Sequence, residues 1–361
     1  MIIAVDATAL VKNRTGVGNY IYSLLYELVK IKKNKYILYS NQEIFFPDYP
    51  NIKKVVHFPY RKGPAWQNTQ LIKSLFKDKP DIFWGGNGYL PIFAPKKTKL
   101  LLTVHDLVYK FAPETMPLLS KLSRRIFQPL SVKNAHSIIA VSQSTSSEML
   151  HEYKRSADAI VNPQINPLFK INNDKNVDIM IKYQLKNYII TIGTLEPRKN
   201  LENLIKAYLD VTDEGFELPI LAIAGGKGWM QEDLEKIINL AEKKGIVKRL
   251  GFVPNDDIVD LYQNAFAFIL ASTYEGFGMP ALEAQLCGCP VLLSNIPSLR
   301  EASGNIGSFF EPDFKHIKKF LINLSNNKIP LTCRLPYTIQ ADIGDACNQY
   351  LEQLEKLINH E

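Results

Sequence analysis

The sequence lacks the features of membrane-spanning and disulfide-rich proteins. No run of about 18 apolar residues occurs in its 361 residues, so no transmembrane helix is expected. The start, Met1-Ile-Ile-Ala-Val-Asp6, has no basic region followed by a long apolar core, so no secretory signal is expected. The only cysteines, none with CxxC spacing, are Cys287, Cys289, Cys333 and Cys347. These observations fit free thiols in a reducing cytoplasm.

Two chemical signatures are also missing. The sequence contains no Asp-x-Asp motif and no His cluster with metal-ligand spacing. It therefore does not require a divalent metal, and we expect neither a metal site nor a cofactor apart from a substrate. A complete GxGxxG motif is missing as well, which argues against a dinucleotide-dependent oxidoreductase.

Positive charge is concentrated in the N-terminal half. The whole chain carries a net charge of +7. Residues 1–165 contain 23 Lys and Arg against 11 Asp and Glu, whereas the remainder contains 20 against 25. The excess of +12 in the first half suggests an anionic partner there, which can be a membrane surface, an anionic lipid or a nucleic acid.

Short apolar runs alternate with helical patterns, which indicates an α/β fold of two doubly wound parallel-sheet domains. A first series begins at the strand 2–5, and a second begins at the strand 189–192. A stretch rich in Pro and Asn separates them and carries the linker, so we predict domains 1–165 and 166–342. A last helix, at about 343–360, can pack back on the first domain. Because parallel sheets bind ligands at the carboxyl ends of their strands, the cleft between two facing sheets is the expected site.

Two motifs of the first domain follow predicted strands. Gly16 and Gly18 lie between the first strand and the first helix, where glycine lets backbone N–H groups approach an anion or an acceptor. A simple glycine turn is the alternative. His105 and Asp106 end the strongest strand, and His105 can hydrogen-bond a sugar hydroxyl or receive a proton there. The alternative is a structural His–Asp pair.

The second domain carries the two most informative motifs. In the loop that begins at Gly193, Arg198 and Lys199 can hold a pyrophosphate and stabilise its charge as it leaves. An ordinary solvated basic turn is the alternative. Glu275 and Glu283 are eight residues apart, with glycines and Pro280 between them that suit a turn into a helix. One carboxylate can then face the cleft while the other accepts hydrogen bonds from ribose hydroxyls.

With these motifs in order along nearly the whole chain, the sequence resembles the family-4 retaining glycosyltransferases, which have two Rossmann-like domains facing a central cleft (the GT-B fold). The matching segments are TVHDL at 103–107, VSQSTSSE at 141–148, GTLEPRKN at 193–200, AGGKGW at 224–229, GFVP at 251–254 and STYEGFGMPALEAQLCGCPV at 272–291. The EPRKN variant is similar to bacterial surface-polysaccharide mannosyl- and rhamnosyltransferases.

The resemblance implies a role for each matching residue. Arg198 and Lys199 would bind the donor pyrophosphate, and His105 would contact the donor sugar near the acceptor. Gly16 and Gly18 would approach phosphate and acceptor. Donor binding would also involve Gly193, Val253 near the base, Glu275 with Gly276, Phe277, Gly278 and Met279 near the sugar and α-phosphate, and Glu283 at the ribose. Many relatives have Arg where this chain has Thr194, so either Arg198 takes over that charge or fewer cations hold the pyrophosphate.

The resemblance further implies transfer of a hexose from a nucleoside diphosphate to a glycan or lipid-linked acceptor, with front-face attack and retention. A GDP-linked donor such as GDP-mannose is favoured, and a UDP-sugar is the alternative. A phosphorylase or synthase of the same architecture would use another acceptor. A basic nucleic-acid-binding protein would explain the charge of the first half but leave the Glu275 and Glu283 arrangement unexplained.

The segment Leu118–Lys133 combines cations with apolar residues in a helical pattern. Its cations are Lys121, Arg124, Arg125 and Lys133, and its apolar residues include Leu119, Leu122, Ile126, Phe127 and Leu130. A basic amphipathic helix of this kind can rest on anionic lipid at the inner face of the cytoplasmic membrane. The alternative is an ordinary surface helix whose apolar face packs on the core.

Overall fold

A computed structural model describes residues 1–31, 33–57, 63–171, 176–226, 228, 232–333 and 346–359. The chain divides into two compact units. The first is Met1–Gln164 together with Ile343–Glu361, and the second is Ile165–Asp342. Each unit is built on one parallel sheet, which confirms the predicted fold class of two α/β domains.

The sheet of the first unit has seven strands in the order β3-β2-β1-β4-β5-β6-β7, all parallel. The strands are β1 Ile2–Asp6, β2 Lys35–Ser40, β3 Ile52–Val56, β4 Ile82–Gly85, β5 Lys99–Val104, β6 Ser137–Ala140 and β7 Ala159–Ile160. The helices are α1 Gly16–Leu28, α2 Gly63–Trp66, α3 Ile72–Asp78, α4 Val108–Phe111, α5 Leu118–Asn134, α6 Gln143–Tyr153 and the C-terminal Ala346–Asn359. Between α2 and α3 the backbone forms a π-turn, Gln67–Leu71.

The inner strands β1, β4, β5 and β6 are almost entirely buried, as expected of a parallel sheet with helices on both faces, whereas the edge strand β3 is partly exposed. On one face, Phe83 and Leu102 pack with Trp66 and Leu75 of the helical segment 63–78. The C-terminal helix contributes Tyr350, which is fully buried with its ring centroid 4.8 Å from that of Trp84. Ser142 is the N-cap of α6, and its side chain accepts a hydrogen bond from the backbone N–H of Thr145.

The sheet of the second unit has six parallel strands in the order β10-β9-β8-β11-β12-β13. The strands are β8 Tyr188–Ile192, β9 Ile220–Ala224, β10 Val247–Gly251, β11 Ala267–Leu270, β12 Val291–Ser294 and β13 Ser308–Phe310. The helices are α7 Asp178–Lys182, α8 Leu201–Asp213, α9 Glu232–Lys243, α10 Asn255–Asn264, α11 Met279–Leu286, α12 Pro297–Ala302 and α13 Phe314–Ser325. We number the C-terminal helix α14.

None of the four cysteines forms a disulfide within the described residues, and Cys287 and Cys289 are buried where α11 gives way to β12. Within the described part of the chain, no helix combines the length and apolar character needed to cross a bilayer.

Candidate functional site

The loop after β8 holds two cations at the carboxyl edge of the second sheet. A short 3-10 turn, Pro197–Lys199, leads into α8 through Asn200, whose φ of 57° lies in the left-handed region. The Asn200 side-chain amide donates to the carbonyl oxygens of Ala271 at 3.0 Å and Pro312 at 2.6 Å. Because these bonds tie the loop to the segments after β11 and β13, the positions of the preceding Arg198 and Lys199 are fixed by the fold.

Glu275, in the loop after β11, joins both cations. Its Oε2 accepts from Arg198 Nη1 at 2.5 Å, and its Oε1 accepts from Lys199 Nζ at 2.6 Å. The Ser272 hydroxyl donates to the same Oε1 at 2.7 Å, and Arg198 Nε also donates to Glu196 at 2.8 Å. Arg198 and Lys199 therefore do not form an ordinary solvated turn; they belong to one network with two carboxylates.

Burial gives this network its electrostatic character. Glu275 is 7% and Lys199 is 8% exposed. Burial alone would raise the pKa of Glu275, but the charges of Arg198 and Lys199 and the hydrogen bonds from Lys199 and Ser272 outweigh it and lower that pKa to about 2. Burial also lowers the pKa of the Lys199 ammonium, and the charge of Glu275 opposes that shift. Glu275 is thus ionised at any physiological pH and is a poor general base.

Gly278 and α11 place the second glutamate as the sequence predicts. Gly278 has a φ of 105°, and a Cβ at this position would lie 2.4 Å from Leu299 Cδ2, so only glycine fits here. The helix begins at Met279, and Glu283 follows one turn later. Among the described residues, no side-chain hydrogen bond or ion pair involves the Glu283 carboxylate.

The pKa of the Glu283 carboxyl group lies well above the ordinary value for glutamate. Burial raises the pKa of Glu283 to about 7, although the charge of Lys199 acts in the opposite direction. Lys199 therefore influences both glutamates, one by direct contact and one through its field. The two carboxylates differ in kind: Glu275 is paired and permanently charged, whereas Glu283 has acceptor capacity that a ligand can use.

The other residues that we predict to bind the donor lie mainly in loops at the same carboxyl edge. Val253 is buried just after β10, and Phe277 is buried between Gly276 and Gly278. Gly193 lies directly against Lys199, since a Cβ there would come within 3.2 Å of Lys199 Cε. Their proposed contacts with the nucleotide stay predictions.

In the first unit, Gly16 and Gly18 lie within the first turn of α1, whereas we predicted them in the preceding loop. Gly18 has a packing role, because a Cβ there would lie 2.4 Å from the carbonyl oxygen of Ala9. The helix begins earlier than predicted because Thr15 already adopts the extended conformation of an N-cap residue.

His105 and Asp106 have different partners. His105 Nε2 is 2.7 Å from the carbonyl oxygen of Gly86, and its ring meets Tyr20 edge-on at 5.1 Å. A carbonyl only accepts, so Nε2 carries the proton and Nδ1 is the acceptor. Burial lowers the pKa of His105, so the ring is neutral near pH 7. The Asp106 carboxylate instead binds Arg124 of α5 at 2.8 Å.

Helix α5 leaves its apolar residues in solvent. Leu118, Leu119 and Leu122 are 78%, 82% and 54% exposed, and Ile126 and Leu130 are also exposed. The buried residues of this helix are Gln128, Ser131 and Val132. The alternative of an apolar face packed on the core is therefore wrong.

Sequence reasoning missed Ser272 and Glu196 as members of the network. Ser272 is three residues before Glu275, and Glu196 is two residues before Arg198, so both could have been found by examining the neighbours of the predicted residues in the sequence. Glu275 is 76 residues from Lys199 and 77 residues from Arg198 along the chain, so no local sequence pattern indicates that they pair.

Two family models match the chain, one for each unit. The family described as Glycosyltransferase Family 4 matches residues 14–162, and the family described as Glycosyl transferases group 1 matches residues 172–329. Together the two matches leave out only the first residues, a short segment between the units and the C-terminal part.

Two similar proteins are named as O-antigen chain mannosyltransferases. The chain is 32% identical over 242 residues to O-antigen chain mannosyltransferase B of Escherichia coli, which covers 65% of this chain and 62% of that protein. It is 26% identical over 212 residues to O-antigen chain mannosyltransferase RfbU of Salmonella typhimurium, covering 59% and 56%. The matched segment thus spans less than two thirds of each relative.

Solved structures share the fold. A glycosyltransferase from Rickettsia africae superposes with a TM-score of 0.70 at 16% identity, covering 100% of this chain and 99% of that one. WaaG, a glycosyltransferase involved in lipopolysaccharide biosynthesis, gives 0.67 at 15% identity, covering 100% of both chains. Anabaena HepE in complex with UDP and glucose gives 0.69 at 16% identity, covering 98% of this chain and 99% of that one. The structural neighbours share the GT-B fold, and by its two family matches the chain belongs to the glycosyltransferases that combine a family-4 domain with a group-1 domain.

Proposed function

We propose that this glycosyltransferase moves a hexose, with retention of configuration, from a nucleoside diphosphate sugar to a hydroxyl of a glycan or lipid-linked oligosaccharide in surface-polysaccharide synthesis. The observation that carries the proposal is the pair of unlike glutamates around Lys199. Glu275 fixes the two cations, and Glu283 offers an unpaired carboxylate at the same strand edge.

The cations suit a diphosphate. Lys199 donates one of its three N–H groups to Glu275, and no other hydrogen bond from its ammonium occurs within the described residues. Its remaining donors can bind phosphate oxygens, and the planar guanidinium of Arg198 adds a second charge. This arrangement favours the alternative in which Arg198 takes over the charge missing at Thr194. A larger residue at position 193 would press on the Lys199 side chain, since a Cβ there would lie 3.2 Å from Lys199 Cε.

The reaction breaks the bond between the donor sugar C1 and the phosphate oxygen and forms a bond between C1 and the acceptor oxygen on the same face. The proton of the acceptor hydroxyl passes to the departing phosphate oxygen. Arg198 and Lys199 stabilise the charge on the diphosphate. Because Glu275 is ion-paired and His105 is neutral, we assign them to orienting the donor and stabilising the positively charged sugar, with His105 Nδ1 as an acceptor for a sugar hydroxyl.

The donor is best assigned as GDP-mannose or a related GDP-sugar. The names of the two O-antigen mannosyltransferases support mannose, whereas the HepE structure holds UDP. A thermal-shift panel of UDP, GDP, ADP and their sugars separates these donors, since a ligand that binds the folded state stabilises it by mass action.

Activity is then tested by incubating the stabilising sugar nucleotide with mannosides and assigning the product's anomeric configuration by NMR. We expect a glycoside with the configuration of the donor. An inverted product would refute the retaining mechanism, and the absence of stabilisation by every nucleotide would refute the donor site.

We further propose that the first unit contacts an anionic membrane through α5. Its exposed leucines would enter the headgroup region, while Lys121, Arg125 and Lys133 would meet lipid phosphates. Arg124 already binds Asp106, so its charge is partly neutralised. Such a contact would bring the enzyme to a lipid-linked acceptor.

A further inference from the structure

Helix α5 holds the segment that follows His105, the residue that we assign to the donor sugar. Arg124 Nη1 donates to Asp106 Oδ1 at 2.8 Å, and Gln128 Nε2 donates to the backbone carbonyl oxygen of Asp106 at 3.1 Å. Gln128 is buried, whereas Arg124 and Asp106 are partly exposed. The residue directly after His105 is therefore fixed by α5 at both its side chain and its backbone.

The Asp106 carboxylate serves a second helix as well. Its Oδ1 also accepts from the backbone N–H of Val108, the first residue of α4, at 3.2 Å. Because this carboxylate binds a guanidinium and caps the start of a helix, it carries its negative charge. A fixed negative charge thus lies one residue from the His105 imidazole.

The His105 ring is held in one orientation. Its Nε2 donates to the Gly86 carbonyl oxygen at 2.7 Å, and its edge-on contact with Tyr20 has a centroid distance of 5.1 Å. Since Nε2 carries a proton, Nδ1 can accept a hydrogen bond only while the ring is neutral, because an imidazolium donates from both nitrogens. Neutrality is therefore a condition for His105 to accept from a sugar hydroxyl.

Neighbouring charges act on this condition in opposite directions. Burial lowers the pKa of His105 most strongly, the hydrogen bond to Gly86 and the charge of Asp106 raise it, and the charge of Arg124 lowers it. Tyr20, the other titratable group against the ring, is uncharged because burial raises its pKa. The two charges of the Arg124–Asp106 pair thus largely cancel at the ring, whereas Asp106 alone would stabilise the imidazolium.

We propose that Arg124 is a positioning residue that keeps His105 neutral by compensating the Asp106 carboxylate, so that Nδ1 retains its lone pair for a hydroxyl of the donor sugar. This role rests on the proposed hexose transfer and on the part of His105 in it. It gives Arg124 a function different from that of the other cations of α5, which we assign to lipid phosphates.

NMR titration of the His105 ring in the full chain tests the proposal without donor or acceptor. The Cε1–H resonance is assigned by its loss in His105→Gln. Arg124→Met should raise the titration midpoint of His105 by about 0.5 pH unit or more, because the Asp106 carboxylate then acts alone. Asp106→Asn should move the midpoint in the opposite direction, and Arg124→Lys, which keeps the charge, should stay close to the wild type.

Lys73→Met removes an exposed lysine from α3 of the same unit and is the matched control, since Lys73 is not among the groups that shift His105. Its midpoint should equal that of the wild type. The proposal is overturned if Arg124→Met and Lys73→Met have the same midpoint, if Arg124→Met and Asp106→Asn shift in the same direction, or if the ring of Arg124→Met does not titrate before the protein unfolds in acid.

Transfer measured against pH gives the second readout. In Arg124→Met, the fall of kcat/KM in acid should begin at higher pH, by the same shift as the midpoint, and Arg124→Lys should restore the wild-type profile. A residue that only stabilised the fold would lower the rate equally at every pH, and that result would overturn the proposal. If the midpoints shift as expected but the wild type transfers no hexose from any sugar nucleotide, the proposed function fails, while the effect of Arg124 on His105 stands.

Discussion

Lys199 Nζ lies 2.6 Å from Glu275 Oε1, and both side chains are more than nine-tenths buried. A buried ion pair of this kind stabilises only when both partners are present, because either one alone leaves an uncompensated charge. The stability of the second unit therefore depends on residues that we propose to bind the donor.

Removing one partner should destabilise the protein strongly. We expect Glu275→Gln to lower the free energy of unfolding by about 3–5 kcal/mol, because Lys199 stays buried without its counter-ion. The double variant Lys199→Met with Glu275→Gln should recover much of this loss but show no transfer. Urea denaturation gives the stabilities, and donor consumption gives the activity. A single variant as stable as the wild type would contradict the structural role.

The ion pair between Lys199 and Glu275 also predicts that the protein loses stability in acid. The folded state keeps Glu275 ionised with a pKa of about 2, against an ordinary value of 4.5. Its contribution to stability is therefore complete above pH 4.5 and is lost as the pH falls toward 2. In the double variant, unfolding between pH 4.5 and 2 should depend less on pH than in the wild type. If the double variant and the wild type showed the same pH dependence, other groups would be responsible for the loss of stability in acid.

Glu283 predicts the opposite pH dependence. Its pKa of about 7 lies above the ordinary value of 4.5, so the unfolded chain loses this proton first as the pH rises. Ionisation then costs stability between pH 4.5 and 7, and Glu283→Gln should be about 1–3 kcal/mol more stable than the wild type at pH 8. The gain in stability should become smaller as the pH falls toward 4.5. Glu217→Gln changes an exposed glutamate and is the control. An equal gain in this variant would show that the raised pKa of Glu283 is not the cause.

The exposed face of α5 predicts membrane binding that is independent of the fold. Replacing Leu118, Leu119 and Leu122 by Ser should weaken sedimentation with phosphatidylglycerol vesicles at least tenfold, because each leucine buried in lipid contributes about 1.5–3 kcal/mol. Stability should change little, since these side chains make few contacts in the protein. Ile181→Ser, also exposed, serves as control. If the wild-type protein did not sediment with these vesicles at low salt, the proposed membrane contact would be wrong.

Elements with strong local patterns were predictable. The sequence pattern predicts strands over 220–224 and 267–270, and β9 and β11 have these bounds. It also predicts a helix from Pro280, whereas α11 begins one residue earlier because Met279 follows the left-handed Gly278 directly. The short α12 and β13 were not predicted, since six and three residues carry too little periodicity.

The limits of sequence reasoning are clearest at the sites. Glu275 and Glu283 looked alike in the sequence, but their pKa values move in opposite directions because one meets two cations and the other meets none directly. From the motif alone we expect Glu275→Ala to lose orders of magnitude in transfer while the fold stays intact, but the burial of Lys199 beside Glu275 predicts a loss of stability as well. The Gln67 side-chain amide donates to Asp6 Oδ2 at 2.8 Å although the two residues are 61 positions apart, and only the fold brings them together.

The central claim is that Glu283 is a ligand of the donor nucleotide, and calorimetric titration of GDP-mannose between pH 6 and 8 tests it most directly. The diphosphate of this sugar nucleotide does not titrate in that range, so the pH dependence reports on the protein. Because an ionised carboxylate accepts more strongly from ribose hydroxyls than a neutral carboxyl group does, a pKa of about 7 predicts an affinity that rises severalfold, up to about tenfold, from pH 6 to pH 8. Glu283→Gln should bind weakly and without this dependence, and Glu217→Gln should match the wild type. Wild-type affinity that does not change with pH, or full affinity in Glu283→Gln, would contradict the account.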